Sequence, residues 1–302
     1  MKHTARSLAL ATVLVTLGCG SPDGRPGWPD GAFDGGKTKV GFRDTVRPWI
    51  IGHRGTGIDD DAEPQAENTI PALLFAIRNE GAIVVEFDVM LTKDQQLVVM
   101  HDPRLDRTTD CTGCVSERTL ADVEKCTSTS GDLAGAVHPP AFVDALEALG
   151  ALPVEPLIMV DTKLAPLDGC PLPVATTDEH APTLGRLIGK ALQSAGLAHT
   201  AGVQGPEELL VAARGAAPKI MTLVARPSMG DAVELAKESR MVGVAVGLEK
   251  LNASDFEDAR AAGELVDTFV VNAPIDLTVA VSYGADVIET DRVEAMLEAF
   301  QE

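Results

Sequence analysis

From position 48 onward, short apolar runs rich in β-branched residues alternate with stretches whose apolar positions recur every three to four residues. The first kind occurs at WIIGH (49–53), AIVVEFDVML (82–91), LIMVDTK (157–163), AGVQ (201–204), KIMTLVA (219–225), MVGVAV (241–246), VDTFVVN (266–272) and ADVIETD (285–291). The second kind includes TIPALLFAIRNEG, FVDALEALG, TLGRLIGKALQSAG, PEELLVAARG, MGDAVELAKE, ASDFEDARAAG, DLTVAVSYG and a final DRVEAMLEAFQE, several of them closed by a glycine suited to a helix C-terminus. Roughly eight strands alternating with helices predict an α/β chain of the (β/α)8 TIM-barrel class, and the glycine fingerprint of an open dinucleotide-binding sheet is absent. In such a barrel the chemistry collects at the C-terminal ends of the strands.

Alternation of side chains then selects the suspects. In VVEFDVML, Glu86 and Asp88 share one face while Val85, Phe87 and Val89 share the other. Two inward carboxylates repel unless protonated or holding a cation, and oxygen donors select Ca2+ or Mg2+. The bland reading is an acid pair neutralised by nearby Arg or Lys. LIMVDTK repeats the arrangement with Asp161 and Lys163, which alone would read as an ordinary salt bridge. His53 ends the first strand and His101 ends a second apolar run, QLVVMHD, just after the acidic one. A lone histidine there is usually structural, whereas two converging on a cation suit proton transfer near neutral pH. Arg54 adds a fork for phosphate oxygens, and Gly55 and Gly57 allow close backbone approach.

The chain is 45% hydrophobic over 302 residues, enough to build a large core, and its formal net charge of −20 opposes nucleic-acid or anionic-lipid partners. Residues 1–19 read as an export signal: a basic start, an apolar stretch short for a bilayer, and small residues before Cys19, which sits as in a lipobox although Thr16 is unusual there. Residues 20–46, rich in Gly, Pro and Asp, read as a flexible linker, with a folded domain over 47–302. The expected location is therefore a periplasmic or cell-envelope lipoprotein, otherwise a secreted protein, touching membrane only through an N-terminal lipid anchor. Export makes Cys111, Cys114, Cys126 and Cys170 an even set expected to form disulfides, with all three pairings open. A redox pair or half a zinc site at Cys111–Cys114 lacks completing ligands.

Taken in order, HRGTG, ENT at 67–69, GAIVVEFDVMLTKDQQLVVMHDPRLDRTT, VSERTLADVE, PPAFVDALEAL, the strand ending Asp161-Thr-Lys163 and the terminal GADVIETD resemble the glycerophosphodiester phosphodiesterase family over nearly all of residues 48–292. The resemblance implies a (β/α)8 barrel that hydrolyses glycerophosphodiesters to glycerol 3-phosphate and an alcohol with one divalent cation, Ca2+ or Mg2+. It implies His53 and His101 as the acid-base pair, Glu86, Asp88 and Asp161 as metal ligands, and Arg54, Lys163, Glu67 and Phe269 facing substrate, with Glu67 beside the metal or Arg54. Three departures stand out: Asp161 where the family usually has Glu, Phe269 where a Trp is common, and a longer, more acidic segment carrying Asp59, Asp60 and Asp61, read as a solvated loop. Two rival functions follow: a phospholipase D or sphingomyelinase D-like activity on lysolipids, and a lipoprotein that binds a phosphodiester without turnover.

Overall fold

A computed structural model describes residues 48–58, 65–164, 169–262 and 264–301. The expected signal segment, Cys19, the linker and Asp59 to Asp61 lie outside the described residues. Every apolar run named above forms a strand: β1 Trp49–Gly52, β2 Val84–Leu91, β4 Leu157–Thr162, β5 Ala201–Gly205, β6 Met221–Ala225, β7 Gly243–Gly247, β8 Leu265–Phe269 and β9 Val287–Thr290. They pair in parallel in the order β1-β9-β8-β7-β6-β5-β4-β2, and a β1–β2 pairing closes the circle. The barrel is thus complete. One further strand, β3 (Leu97–Val99), runs antiparallel to the end of β2.

The two-residue period sorts the side chains into two layers. Trp49, Ile51, Val84, Leu157, Met159, Leu223 and Val287 pack together inside the barrel. Val85, Phe87, Ile158, Val160, Val203, Val224, Val244, Val246 and Ile288 pack outward against the helices. Those helices are α1 Ile70–Arg78, α3 Phe142–Gly150, α4 Thr177–Ala195, α5 Glu207–Ala216, α6 Met229–Ser239, α7 Ala253–Ala261, α8 Pro274–Tyr283 and α9 Val293–Gln301, with a single turn, α2 Leu120–Val123, in the segment after β3. Several N-termini are capped by a side chain, such as Thr69 accepting from the Ala72 amide before α1, Ser228 accepting from the Asp231 amide before α6, and the Asn252–Asp255 capping box of α7. α4 begins earlier than its periodicity predicts and carries Pro182 inside it. Pro182 is the sixth residue of α4, past the first amides that lack an intrahelical acceptor, so it forfeits the one bond that an amide there would give to the Asp178 carbonyl. Gly185 and Gly189 let α4 close onto the α5 backbone at Leu209 and Ala213.

The segment between β3 and α3 holds little regular structure beyond α2 and a 3-10 turn at Val115–Glu117, and is stapled by disulfides Cys111–Cys126 and Cys114–Cys170. The second ties this segment to the loop that follows Lys163. Among the described residues no helix is long and apolar enough to cross a membrane.

Candidate active site

The inward positions at the C-terminal ends of the strands hold His53, Asp88, Asp161, Phe269 and Asp291, with Glu86, Gln204, Asp267 and Glu289 one layer deeper. Carboxylate oxygens of Glu86, Asp88 and Asp161 lie within 4.8 Å of one another, so the ligand set expected from the sequence converges. His53, Glu86 and Glu289 meet the same distance, sharing Glu86. A third grouping, Asp110 with Cys111 and Cys126, has both sulfurs spent in a disulfide.

The turn after β1 delivers Arg54 by an uncommon backbone. Its φ is 51°, in the left-handed region that costs a side-chain-bearing residue energy, and the turn aims its N–H at Glu86 Oε2, 2.8 Å away. Gly55 follows at φ 89°, where a β-carbon would come within 2.8 Å of the α1 backbone at Ala72, so only glycine fits. The Arg54 guanidinium donates to Glu67 Oε1 at 2.8 Å and lies 3.4 Å from Asp88 Oδ2. Glu67 also receives Arg107 at 2.7 and 2.8 Å. Glu67 therefore stands against Arg54, one of its two expected neighbours, as a buried clamp between two arginines.

Asp88 is nearly sealed from solvent and gathers partners: Asn68 donates to it at 2.7 Å, and Lys163 Nζ lies at 3.0 Å. Burial alone would raise its pKa, but Lys163, His101, Arg54 and His53 outweigh that and hold it well below the usual carboxylate range. Lys163 also donates to Asp161 at 2.6 Å. Burial works against its charge, yet Asp161 and Asp88 keep the ammonium firmly protonated. Glu86 has the opposite fate. Burial, reinforced by Asp88, Glu289 and Asp161, pushes it well above its ordinary value, and its Oε1 is buried without a hydrogen-bond donor. A divalent cation would supply the missing partner and reverse that shift, so the oxygen donors present fit a hard ion.

Both imidazoles are held from behind. His53 Nδ1 is 2.7 Å from Asp291 Oδ1, and His101 Nδ1 is 2.7 Å from Asp102 Oδ1. A carboxylate only accepts, so each Nδ1 carries the proton and each Nε2 is left for the site. Asp291 is fixed in turn by Asn272, which donates at 2.6 Å, and Asp102 by Arg107 at 2.6 Å. His101 reaches the site because β3 folds back along β2, with the Met100 amide donating to the Asp88 carbonyl at 2.9 Å.

The sequence reading missed Asn68, Asp102, Arg107, Gln204, Asp267, Glu289 and Asp291 as site residues. Asp267 and Glu289 were open to the alternation argument that exposed Glu86, because they share a face with Phe269 and Asp291. Gln204 donates to both, at 2.6 and 2.7 Å. Burial raises both acids well above the ordinary range, and each is in hydrogen-bond contact with the other.

The sequence profile of the glycerophosphoryl diester phosphodiesterase family matches residues 53–295. The chain is 42% identical over 80 residues to a glycerophosphodiester phosphodiesterase of Caldanaerobacter subterraneus, covering 26% of this chain and 30% of that protein. It is 41% identical over 75 residues to human glycerophosphodiester phosphodiesterase 1, covering 25% and 21%. The matched stretch thus spans about a third or less of these relatives' length. In fold it resembles an Oleispira antarctica phosphodiesterase solved in complex with the product sn-glycerol-3-phosphate, with a TM-score of 0.70 at 21% identity over 84% of this chain and 97% of that one. A Thermotoga maritima glycerophosphodiester phosphodiesterase superposes with a TM-score of 0.61 at 18% identity, covering 84% and 99%. With the profile running from His53 at the end of β1 to a point inside α9, the chain belongs to the glycerophosphoryl diester phosphodiesterase family.

Proposed function

We propose that this protein hydrolyses glycerophosphodiesters to glycerol 3-phosphate and an alcohol, using one divalent cation held by Glu86, Asp88 and Asp161 and proton transfer by His53 and His101. The observation that carries the reading is the convergence of the three carboxylates beside two imidazoles, each backed by its own carboxylate through Nδ1. A bound cation would polarise a phosphoryl oxygen and offset charge gathering on it. Lys163 and the guanidinium of Arg54 stand at the same carboxylates and are placed to meet the remaining phosphate oxygens. One imidazole, neutral with its proton on Nδ1, takes a proton at Nε2 from the attacking hydroxyl, and the other, protonated at both nitrogens, gives its Nε2 proton to the departing alkoxide. Asp291 and Asp102 hold the Nδ1 proton of each ring, which orients Nε2 toward the site and stabilises whichever ring is the imidazolium. Phe269 faces inward from β8, on the side of the barrel opposite β4, and supplies an apolar wall.

The reading extends to location. Two disulfides in one domain suit an oxidising compartment, which supports export, with lipidation at Cys19 as the proposed anchor.

The test is a hydrolysis assay on deacylated diesters and on lysolipids, with and without a chelator, following glycerol 3-phosphate. Calcium- or magnesium-dependent release of glycerol 3-phosphate from the deacylated diesters is expected. Cleavage restricted to lysolipids would establish the phospholipase D-like rival, and binding without product would establish the non-catalytic one.

A further inference from the structure

On the side of the barrel facing away from the carboxylates, one acidic side chain curls over the mouth. β7 lies diametrically across the strand circle from β2, and β8 lies across from β4. Val244 and Val246 of β7 pack outward into the helical layer, so Gly243, Ala245 and Gly247 face the interior. Gly247 is the last of these, at the C-terminal rim. A β-carbon built there would come within 2.8 Å of both carboxylate oxygens of Glu249. The Glu249 carboxylate therefore occupies the space that an inward side chain at position 247 would have filled. It is 69% exposed, and its charged neighbour Lys250 stands 3.8 Å off, a long contact between two solvated groups.

Gly247 pairs in register with Phe269 of β8, whose neighbours Leu265 and Asp267 put it on the inward face. An aromatic ring and a carboxylate thus stand on adjacent strands at one edge of the mouth. The inward positions next to this edge on β6 and β7 are small, Ala225 and Ala245, with Gln204 beyond them on β5 turned toward Asp267 and Glu289. A substrate whose phosphate meets Lys163 and Arg54 would direct one of its two alcohol arms away from those cations and toward this edge.

Resting on the hydrolytic reading above, we propose that Glu249 and Phe269 form a subsite for an ammonium-bearing leaving alcohol, so that the preferred substrates are glycerophosphodiesters of amino alcohols. An ammonium is attracted to a carboxylate and to the face of an aromatic ring. The long-range field agrees. A formal net charge of −20 repels the net anionic esters of glycerol and inositol but not the zwitterionic esters of choline and ethanolamine.

The experiment compares kcat/KM for glycerophosphocholine, glycerophosphoethanolamine, glycerophosphoinositol and glycerophosphoglycerol in the metal-loaded full chain, at low and high salt. The expected result is a preference of about fivefold or more for the two cationic esters at low salt, shrinking as salt screens the exposed carboxylate. Glu249→Gln should cut that preference about threefold, chiefly through KM, and Glu249→Lys should invert it. Phe269→Leu should weaken choline more than glycerol. Damage to the fold or to the cation site would lower all four esters together and leave their ratios intact, so the ratio reports the subsite alone. Equal kcat/KM for all four esters in the unmodified chain, or ratios unmoved by both Glu249 variants, would overturn the subsite while leaving the hydrolytic reading standing. Failure on every ester would overturn the hydrolytic reading, and the subsite with it.

Discussion

Lys163 Nζ stands 3.0 Å from an oxygen of Asp88, and the same ammonium lies 2.6 Å from Asp161. One lysine therefore neutralises two of the three carboxylates expected to hold the cation. It competes for the oxygens that a dication would use, while a cation in place would free it toward phosphate. Lys163→Met should therefore bind Ca2+ or Mg2+ about tenfold more tightly by calorimetry, while kcat falls by about 100-fold as a phosphate contact is lost. Without metal the variant takes one cation from buried Asp88, which keeps Arg54 and Asn68, so its unfolding free energy should drop by about 2 kcal/mol in urea titrations. Unchanged metal affinity would show that the lysine and the cation do not share those oxygens.

Asp102 and Asp291 act through the rings they hold. Asn at either place keeps the shape but presents the wrong partner to Nδ1, favouring the tautomer in which Nε2 carries the proton. Asp102→Asn and Asp291→Asn should each lower kcat by about 100-fold or more, with little change in KM. His101→Ala should fall at least as far while retaining its metal, measured by elemental analysis. Full activity in His101→Ala would remove it from the mechanism.

Stability should depend on pH in two opposing ways. Asp267 and Glu289 have folded pKa values raised by burial, so the native state holds protons that the unfolded chain has lost above about pH 4. Their contribution declines as pH rises from there toward the folded pKa values. Asp88, Asp102 and Asp291 are depressed despite the opposing effect of burial, Asp88 by facing cations and Asp102 and Asp291 first by hydrogen bonds from His101 with Arg107 and from His53, so what they contribute is present above about pH 4 and is lost on acidification. In metal-free protein, Glu289→Gln should flatten the decline in unfolding free energy above about pH 4, by at most about 1.4 kcal/mol per pH unit for each proton removed. The acid limb should be unaffected. A variant with the parental slope would show that the pair is not protonated in the folded state.

The two disulfides close loops of different length, with sequence separations of 15 for Cys111–Cys126 and 56 for Cys114–Cys170. On chain-entropy grounds their removal should cost about 3 and about 4 kcal/mol respectively. The Cys114→Ser, Cys170→Ser pair should have the further effect of raising KM, because that bridge ties the loop after Lys163 to the segment carrying Arg107 and Asp102. Thermal melts and steady-state kinetics on the two double variants separate these effects. Equal kinetics in both would confine the bridges to stability.

Much of this architecture was readable along the chain. The switch between a period of two and a period near 3.6 marked each barrel strand and the helices between them, because burial on one face imposes that rhythm whatever the neighbours are. The same rhythm put Glu86 with Asp88, and Asp161 with Lys163, on common faces, and ordered motifs identified His53 and His101. The rhythm does not say which strands adjoin. That Asp291 from the last strand backs His53 from the first follows from closure of the barrel by β1 against both β9 and β2. The pairing of Asp102 with Arg107 and Glu67, the polar layer of Gln204, Asp267 and Glu289, and the choice among three cysteine pairings all join residues distant in sequence. Local periodicity carries a side chain's face, whereas contact between faces depends on how the whole sheet curls, and that depends on every strand at once.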